Sequence, residues 1–387
     1  MKTLFILTAL LLLFSPRLQS QQQPDNQSMC NLISTGKREY LRILPPPAIQ
    51  QKLKALAQAR EAAQKSGNKE AMAAYNKFSI NFIGDWSNQA KTALQYACDI
   101  WSFIVDLPQS IKVDAHWVVK DDPNILASCG ASSFRTIGTY QYPIALAEAM
   151  KDSNMNGSTA ELNMDVNSTA SWYFGTDGNC GIFQTDFVSV AMHEICHGLG
   201  FLGSMTWSSG GTAYGNADYA DPPDIFDYYT HTIGSDAPLI SLPRHGSDLA
   251  YALTHGVNFY SVDESIGRWV DGMSYGSAQL YTPATWKEGS SYSHLDEVFN
   301  DTKADLMTYS IGHDHVIHDP GNLIRGMLVD MGWRTFGSTT YNPFSGIVVA
   351  GTDPWGLRFL PGYNGFWPTT LHFVAPASGT ASWKIEH

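Results

Sequence analysis

The chain is short of charge, and the charge it has leans one way. Of 387 residues, 24 are Lys or Arg and 36 are Asp or Glu, for a formal net charge of -12. No basic stripe interleaved with aromatics occurs, so nucleic-acid binding has no electrostatic support. Long apolar runs are missing too. The strongest is Leu4 to Phe14, which is too short to span a bilayer. It follows the basic start Met1-Lys2-Thr3 and precedes the small-residue site Leu18-Gln19-Ser20. Residues 1–20 therefore read as a secretory signal peptide, with a secreted mature chain that has no membrane span. Cysteines are few and odd in number: Cys30, Cys98, Cys129, Cys180 and Cys196. Export permits disulfides, and an odd count leaves at least one thiol. Cys98 and Cys196 fall among apolar neighbours on expected helices and read as buried thiols. Cys129 and Cys180 lie in Gly-rich stretches and are the expected disulfide.

What remains is rich in Gly, Tyr and Trp and organises into an α+β pattern. Residues 21–46 are polar and without periodicity, ending in Pro45-Pro46-Pro47. Residues 48–76, rich in Ala, Lys, Gln and Glu, predict one or two exposed helices broken near Ser66-Gly67-Asn68. Segment 21–76 is thus an N-terminal arm or a pro-segment. Compact structure is expected from Lys77. A strand over 78–84, a helix over 88–105 and a strand over 110–119 suggest a crossover unit in a mixed sheet. A short helix near 145–150 and a strand over 159–166 follow. Residues 204–290 form a long insert dominated by Gly, Ser, Tyr and Asp, with a helix expected near 247–253. A helix is expected over 322–331, and 337–387 reads as a small β-rich appendage with exposed aromatics. The acidic turn Asp152–Gly157 offers oxygen ligands for Ca²⁺, but its spacing does not match an EF-hand loop, so Ca²⁺ is not supported.

One stretch carries chemistry. His193-Glu194-Ile195-Cys196-His197 is an H-E-x-x-H. Histidines four apart on a helix share one face, where a single Zn²⁺ can take both imidazoles. The glutamate beside the first can serve as general base toward a metal-bound water. Asp186 or Thr185 can cap that helix, and Phe187, Val188, Val190, Ala191, Ile195 and Leu199 give it a buried side. A catalytic zinc usually has three protein ligands. In the long consensus H-E-x-x-H-x-x-G-x-x-H, Gly203 stands where the third histidine belongs, so that ligand must come from elsewhere. His294 is the leading candidate. His313, His315 and His318 are rivals, as are the carboxylates Glu264, Glu288 and Glu297. Cys30 could also supply a thiolate to the metal in a latent form. His116, alone in a strand, reads as structural.

The order of these pieces resembles the leishmanolysin-like metzincins. The chain has His193-Glu-Ile-Cys-His-Gly-Leu-Gly-Phe201, a long insert, Ser293-His294, Leu306-Met307 and Val329-Asp-Met-Gly-Trp333. It is similar above all to secreted bacterial-type members, through Trp172-Tyr-Phe-Gly-Thr-Asp-Gly178 and His294-Leu-Asp-Glu297. The resemblance covers roughly 78–335. It implies a metzincin-like catalytic domain over 77–336, with a twisted mixed sheet, a metal-binding helix and a final helix after a Met-turn. It implies His193, His197 and His294 as zinc ligands, Glu194 as catalytic base and Met307 as the Met-turn residue. It also implies strand 159–166 as the edge along which an extended peptide aligns. Tyr309 stands where many members have proline; in astacin-like and serralysin-like metzincins a tyrosine at that offset can contact the metal or the oxyanion. The expected activity is a secreted zinc endopeptidase acting on protein or peptide substrates. The alternatives are a non-catalytic metzincin-like binding protein, or glycan or partner binding through the aromatic-rich C-terminal segment.

Overall fold

A computed structural model describes residues 30–210, 214–260, 277–334, 341–342 and 347–348. The expected signal peptide lies outside the described residues. So does the C-terminal appendage, apart from the paired dipeptide strands Tyr341–Asn342 and Ile347–Val348.

The frame is a six-stranded sheet of β1 (Cys30–Ile43), β2 (Phe78–Ile83), β3 (Ile111–Val118), β4 (Ile125–Ala131), β5 (Leu162–Asn167) and β6 (Ser310–Ile317). Their spatial order is β6-β1-β4-β5-β3-β2. β2, β3 and β5 run parallel, whereas β4 is antiparallel to β5 and to β1. β1 and β6 are again parallel. The fold is therefore α+β with a mixed sheet.

Eight helices are present among the described residues. They are α1 (Pro47–Ser66), α2 (Lys69–Tyr75), α3 (Asn88–Ser102), α4 (Ile144–Lys151), α5 (Phe187–Gly198), α6 (Ile225–Tyr228), α7 (Ser247–His255) and α8 (Gly321–Met331). None is long and apolar enough to cross a membrane. The main core joins α3 and α5 to the sheet. Ala90, Ala93, Leu94, Ala97 and Trp101 of α3 are fully buried, as are Val113, Ala115, Leu162 and Met164 of the strands. Trp101 Nε1 donates to Met192 O at 3.0 Å, tying α3 to the middle of α5. Each Leu or Phe buried this way contributes about 1.5–3 kcal/mol. Trp333, just beyond α8, donates from Nε1 to Leu199 O at 2.8 Å and fixes the other end of α5.

Three expectations change. Residues 30–43 are not irregular: they form β1, which lies inside the sheet between β4 and β6, so the compact unit does not begin at Lys77. Most of β1 beyond Leu32 is only partly buried or exposed, so its own side chains carry little strand signal; the neighbouring backbones hold it. The strand near 159–166 is not an edge. It is β5, enclosed by β3 and β4. Finally, Cys129 and Cys180 are free thiols. Cys129 is a buried strand residue opposite Cys30, and Cys180 Sγ donates to Gln184 O at 3.2 Å.

The acidic turn near Asp152 closes on itself, with Gly157 N donating to Asn154 Oδ1 at 2.6 Å. The helical arm is joined to the core by a fork in which Asp99 is buried and Arg60 partly so. Arg60 Nη1 and Nη2 donate to Asp99 Oδ2 and Oδ1 at 2.8 and 2.7 Å. Removing one partner of a buried pair strands the other charge. Arg60→Ala is expected to cost about 3 kcal/mol, read as a lower urea midpoint. An unchanged midpoint would mean that α1 adds nothing to the stability of the sheet.

Candidate metal centre

The site is built on α5. Asp186 caps it, its Oδ1 accepting from Ser189 N at 2.8 Å and Ser189 Oγ at 2.7 Å. His318 Nε2 approaches the same oxygen at 2.7 Å, so the helix start is anchored to the chain after β6. Every residue of α5 is buried. At the other end, Gly198 lies against β4 and β5. A Cβ there would meet Leu162 at 2.5 Å and Cys129 Sγ at 3.2 Å. Gly200 then turns the chain back at φ +118°, a conformation that L side chains rarely adopt.

Three imidazoles converge beside this helix. Nε2 of His197 lies 3.0 Å from Nε2 of His193 and 3.2 Å from Nε2 of His294, and the remaining pair is 3.3 Å apart. All three rings are buried. Each Nδ1 is held by a backbone carbonyl: His193 by Leu306 O at 2.6 Å, His197 by Phe201 O at 2.6 Å and His294 by Ser290 O at 2.7 Å. A carbonyl can only accept, so each Nδ1 carries its ring's proton and each Nε2 presents a lone pair. Three lone pairs at this distance repel one another unless a cation lies among them. A carbonyl on the far nitrogen is also the usual way a metal-binding histidine is oriented.

The ring environment favours the neutral form. Burial lowers the His193 pKa well below its ordinary value, with the neighbouring His197 and His294 adding to it. Burial, then His197, does the same to His294. Burial lowers His197 to about 4. Burial raises Glu194 well above the usual carboxylate range, partly offset by Lys120 and by the backbone amides of Leu32 and Cys129. Both Glu194 oxygens are buried, and the Leu32 and Cys129 amides approach them without forming well-aligned hydrogen bonds. A buried carboxylate of this kind is stabilised by a nearby cation.

The space after α5 explains Gly203. A Cβ at that position would meet Tyr292 Cε1 at 2.1 Å and Asp227 Oδ1 at 2.7 Å. The insert builds this socket. Tyr292, two residues before His294, donates to Asp227 Oδ1 at 2.8 Å, and its hydroxyl lies 3.0 Å from Thr230 Oγ1. Gly203 N donates to Ser293 Oγ at 3.1 Å. The chain thus fills the consensus histidine's place with the segment that delivers His294.

Residues 305–307 form a buried turn, in which Leu306 supplies the carbonyl for His193 and Met307 O accepts from Leu295 N at 2.8 Å. Tyr309 is placed differently from a metal contact: its hydroxyl donates to Glu297 Oε1 at 3.2 Å and its ring stacks on Tyr281. The other candidates also have other neighbours. His313 Nδ1 is 3.3 Å from Thr185 Oγ1, and His315 Nε2 is 3.0 Å from Asp305 Oδ2. Glu288 accepts from Trp286 Nε1 at 2.9 Å. Glu264 lies outside the described residues. His116 pairs with Asp165 at 3.0 Å, in keeping with a structural role.

β1 crosses this site. Ligand atoms of Cys30, His197 and His294 lie within 4.8 Å of one another. Asn31 N donates to Gly289 O at 2.8 Å, and Ile33 N to Tyr309 O at 3.1 Å. On its other side β1 runs antiparallel to β4, with Cys30 opposite Cys129 and Leu32 opposite Ala127. The only signal for this in the sequence is the presence of a cysteine early in the N-terminal arm.

A family model described as SPBPB7E8-like matches residues 138–218. That match includes His193, Glu194 and His197 and leaves out Cys30, His294 and Met307. No curated protein and no solved structure gives a significant match to the chain.

Proposed function

We propose that the chain is a leishmanolysin-like zinc endopeptidase, exported through its apolar leader and held latent by its own first strand. The observation that carries this reading is the set of three buried Nε2 atoms, 3.0–3.3 Å apart, two of them from the helix that also carries the buried Glu194. Three neutral imidazoles are a usual protein ligand set for a catalytic zinc. When bound, zinc supplies Lewis acidity, bringing the pKa of a water toward ~7 and polarising a carbonyl.

The protein's part follows from its own groups. His193, His197 and His294 would hold the ion through Nε2, with their orientation set by three backbone carbonyls. Positive charge beside Glu194 favours its carboxylate form and offsets the burial that raises its pKa. Glu194 then takes the proton of the attacking water and delivers it to the leaving amine. β4 supplies main-chain donors and acceptors for an extended peptide, the geometry of β-augmentation. In the full chain β1 already occupies that edge. Cys30 brings a sulfur to two of the three ligands. Its thiol is pushed up by burial when no metal is present, and a metal would bind it as thiolate. A substrate needs both the strand and the sulfur displaced.

Glu194→Gln is expected to abolish casein hydrolysis by the processed enzyme while zinc content stays near that of wild type. His294→Ala should lose the zinc of the three-histidine centre and activity together. Full activity in either variant would contradict the assignment.

Cys30→Ser should weaken zinc binding by roughly tenfold or more and raise the activity of the uncleaved chain. Unchanged affinity and activity would remove the thiolate from the centre.

A pH dependence follows for the metal-free protein. Glu194 has a folded-state pKa raised above 4.5, so its stabilising contribution is present below that value and is lost as pH rises. Glu194→Gln removes this loss. The metal-free variant should therefore have a higher urea midpoint than wild type at pH 8, and the gain should vanish near pH 4.5. A gain that does not depend on pH would show that burial of the charge is not its source.

A further inference from the structure

Next to the turn that carries Leu306 and Met307 lies a second group of ligand-type side chains. Asp301, Asp305 and His315 each offer one ligand atom, and these atoms lie within 4.8 Å of one another. Asp305 and His315 are both 3 % exposed. Asp301 is exposed and closes the group from the solvent side. Its backbone is left-handed, at φ +60°, and its N–H donates to Asp305 Oδ2 at 2.8 Å. Asp305 Oδ1 accepts from Thr308 Oγ1 at 2.8 Å.

The observation that points to a ligand is His315. Its ring is buried, yet neither ring nitrogen makes a hydrogen bond. Nε2 lies 3.0 Å from Asp305 Oδ2, but that approach does not satisfy the direction of a ring N–H. On the other side, Nδ1 is 3.8 Å from Glu39 Oε2 of β1. A buried imidazole with two unsatisfied nitrogens is costly. A cation bound by one nitrogen and the flanking carboxylates removes that cost and also neutralises the acidic group.

We propose that Asp301, Asp305 and His315 bind a second divalent cation, separate from the three-histidine centre. One imidazole with two carboxylates suits a borderline ion such as Zn²⁺ or Mn²⁺ better than Ca²⁺, which prefers oxygen alone. The ion would join β6 to the 301–308 loop. Since Leu306 O orients His193, it would also stiffen one support of the first centre. Its role is structural, and it does not depend on the peptidase reading.

The test is zinc stoichiometry by native mass spectrometry on the full chain, stripped with a chelator and titrated with zinc alone. Wild type is expected to take up a second equivalent beyond the one at the histidine centre. His315→Ala should lose the second equivalent. Asp301→Asn, at an exposed position that leaves the core intact, should weaken it by roughly tenfold or more; this keeps the test open should His315→Ala fail to fold. His197→Ala combined with His294→Ala should lose the first equivalent and keep the second. A single equivalent in wild type that is indifferent to Asp301→Asn and His315→Ala would overturn the second site: Asp305 and His315 would then be an ion pair only. Uptake unaffected by the paired histidine variant, but lost in the others, would instead overturn the three-histidine centre and leave the second site standing.

Discussion

Three imidazole Nε2 atoms brought within 3.3 Å of one another are the constraint on which the rest of this structure depends. Without positive charge among them, the Nε2 atoms at 3.0–3.3 Å repel one another. The fold nevertheless fixes each ring from behind, through a carbonyl on its Nδ1. Those carbonyls come from three separate places: the turn after α5, the 305–307 turn and the end of the insert. Each place is anchored in turn. Gly200 lets Phe201 fold back, the Leu306 turn is bonded to Leu295, and Tyr292 sits in a socket built by Asp227 and Thr230. In the proposed reading this preorganisation is what allows zinc to bind without rearranging the protein.

The long insert acquires a purpose from the same geometry. A histidine at position 203 would collide with Tyr292 and Asp227. The insert therefore does more than separate two motifs. Its α6 region supplies the groups that hold the 290–295 segment, and that segment brings His294 to the cluster. β1 completes the enclosure. Its backbone bonds to β4 on one side and to Gly289 and Tyr309 on the other, with Cys30 over His197 and His294. Arg38 and Arg42 pair with the buried Asp314 and bind its far end to β6.

Much of this was legible in the sequence, for identifiable reasons. α3, α5 and α8 announce themselves through 3.6-residue apolar periodicity, and α5 also through Asp186 as its cap. The convergence of His193 and His197 follows from helix geometry alone. His294 was legible only through the order of motifs, because nothing local marks a loop histidine as a ligand. β1 was hidden because Thr35, Gly36, Lys37 and Arg38 are not packed in a core; a strand held by its neighbours' backbones needs no alternation of its own. The strand order is not written in the sequence either: the resemblance implies an edge at 159–166, whereas β5 lies between β3 and β4. Pairing Cys129 with Cys180 rests on composition near each residue, and composition does not place two chain segments together.

X-ray absorption at the zinc edge, on the uncleaved chain loaded with no more than one equivalent, tests the proposed centre most directly. A four-ligand set that includes a soft thiolate should fill first. The expected spectrum has three nitrogen ligands near ~2.0–2.1 Å and one sulfur near ~2.3 Å. Nitrogen and oxygen scatterers without sulfur would take Cys30 out of the centre and leave latency to the strand alone. A first shell dominated by oxygen would contradict the three-histidine centre itself.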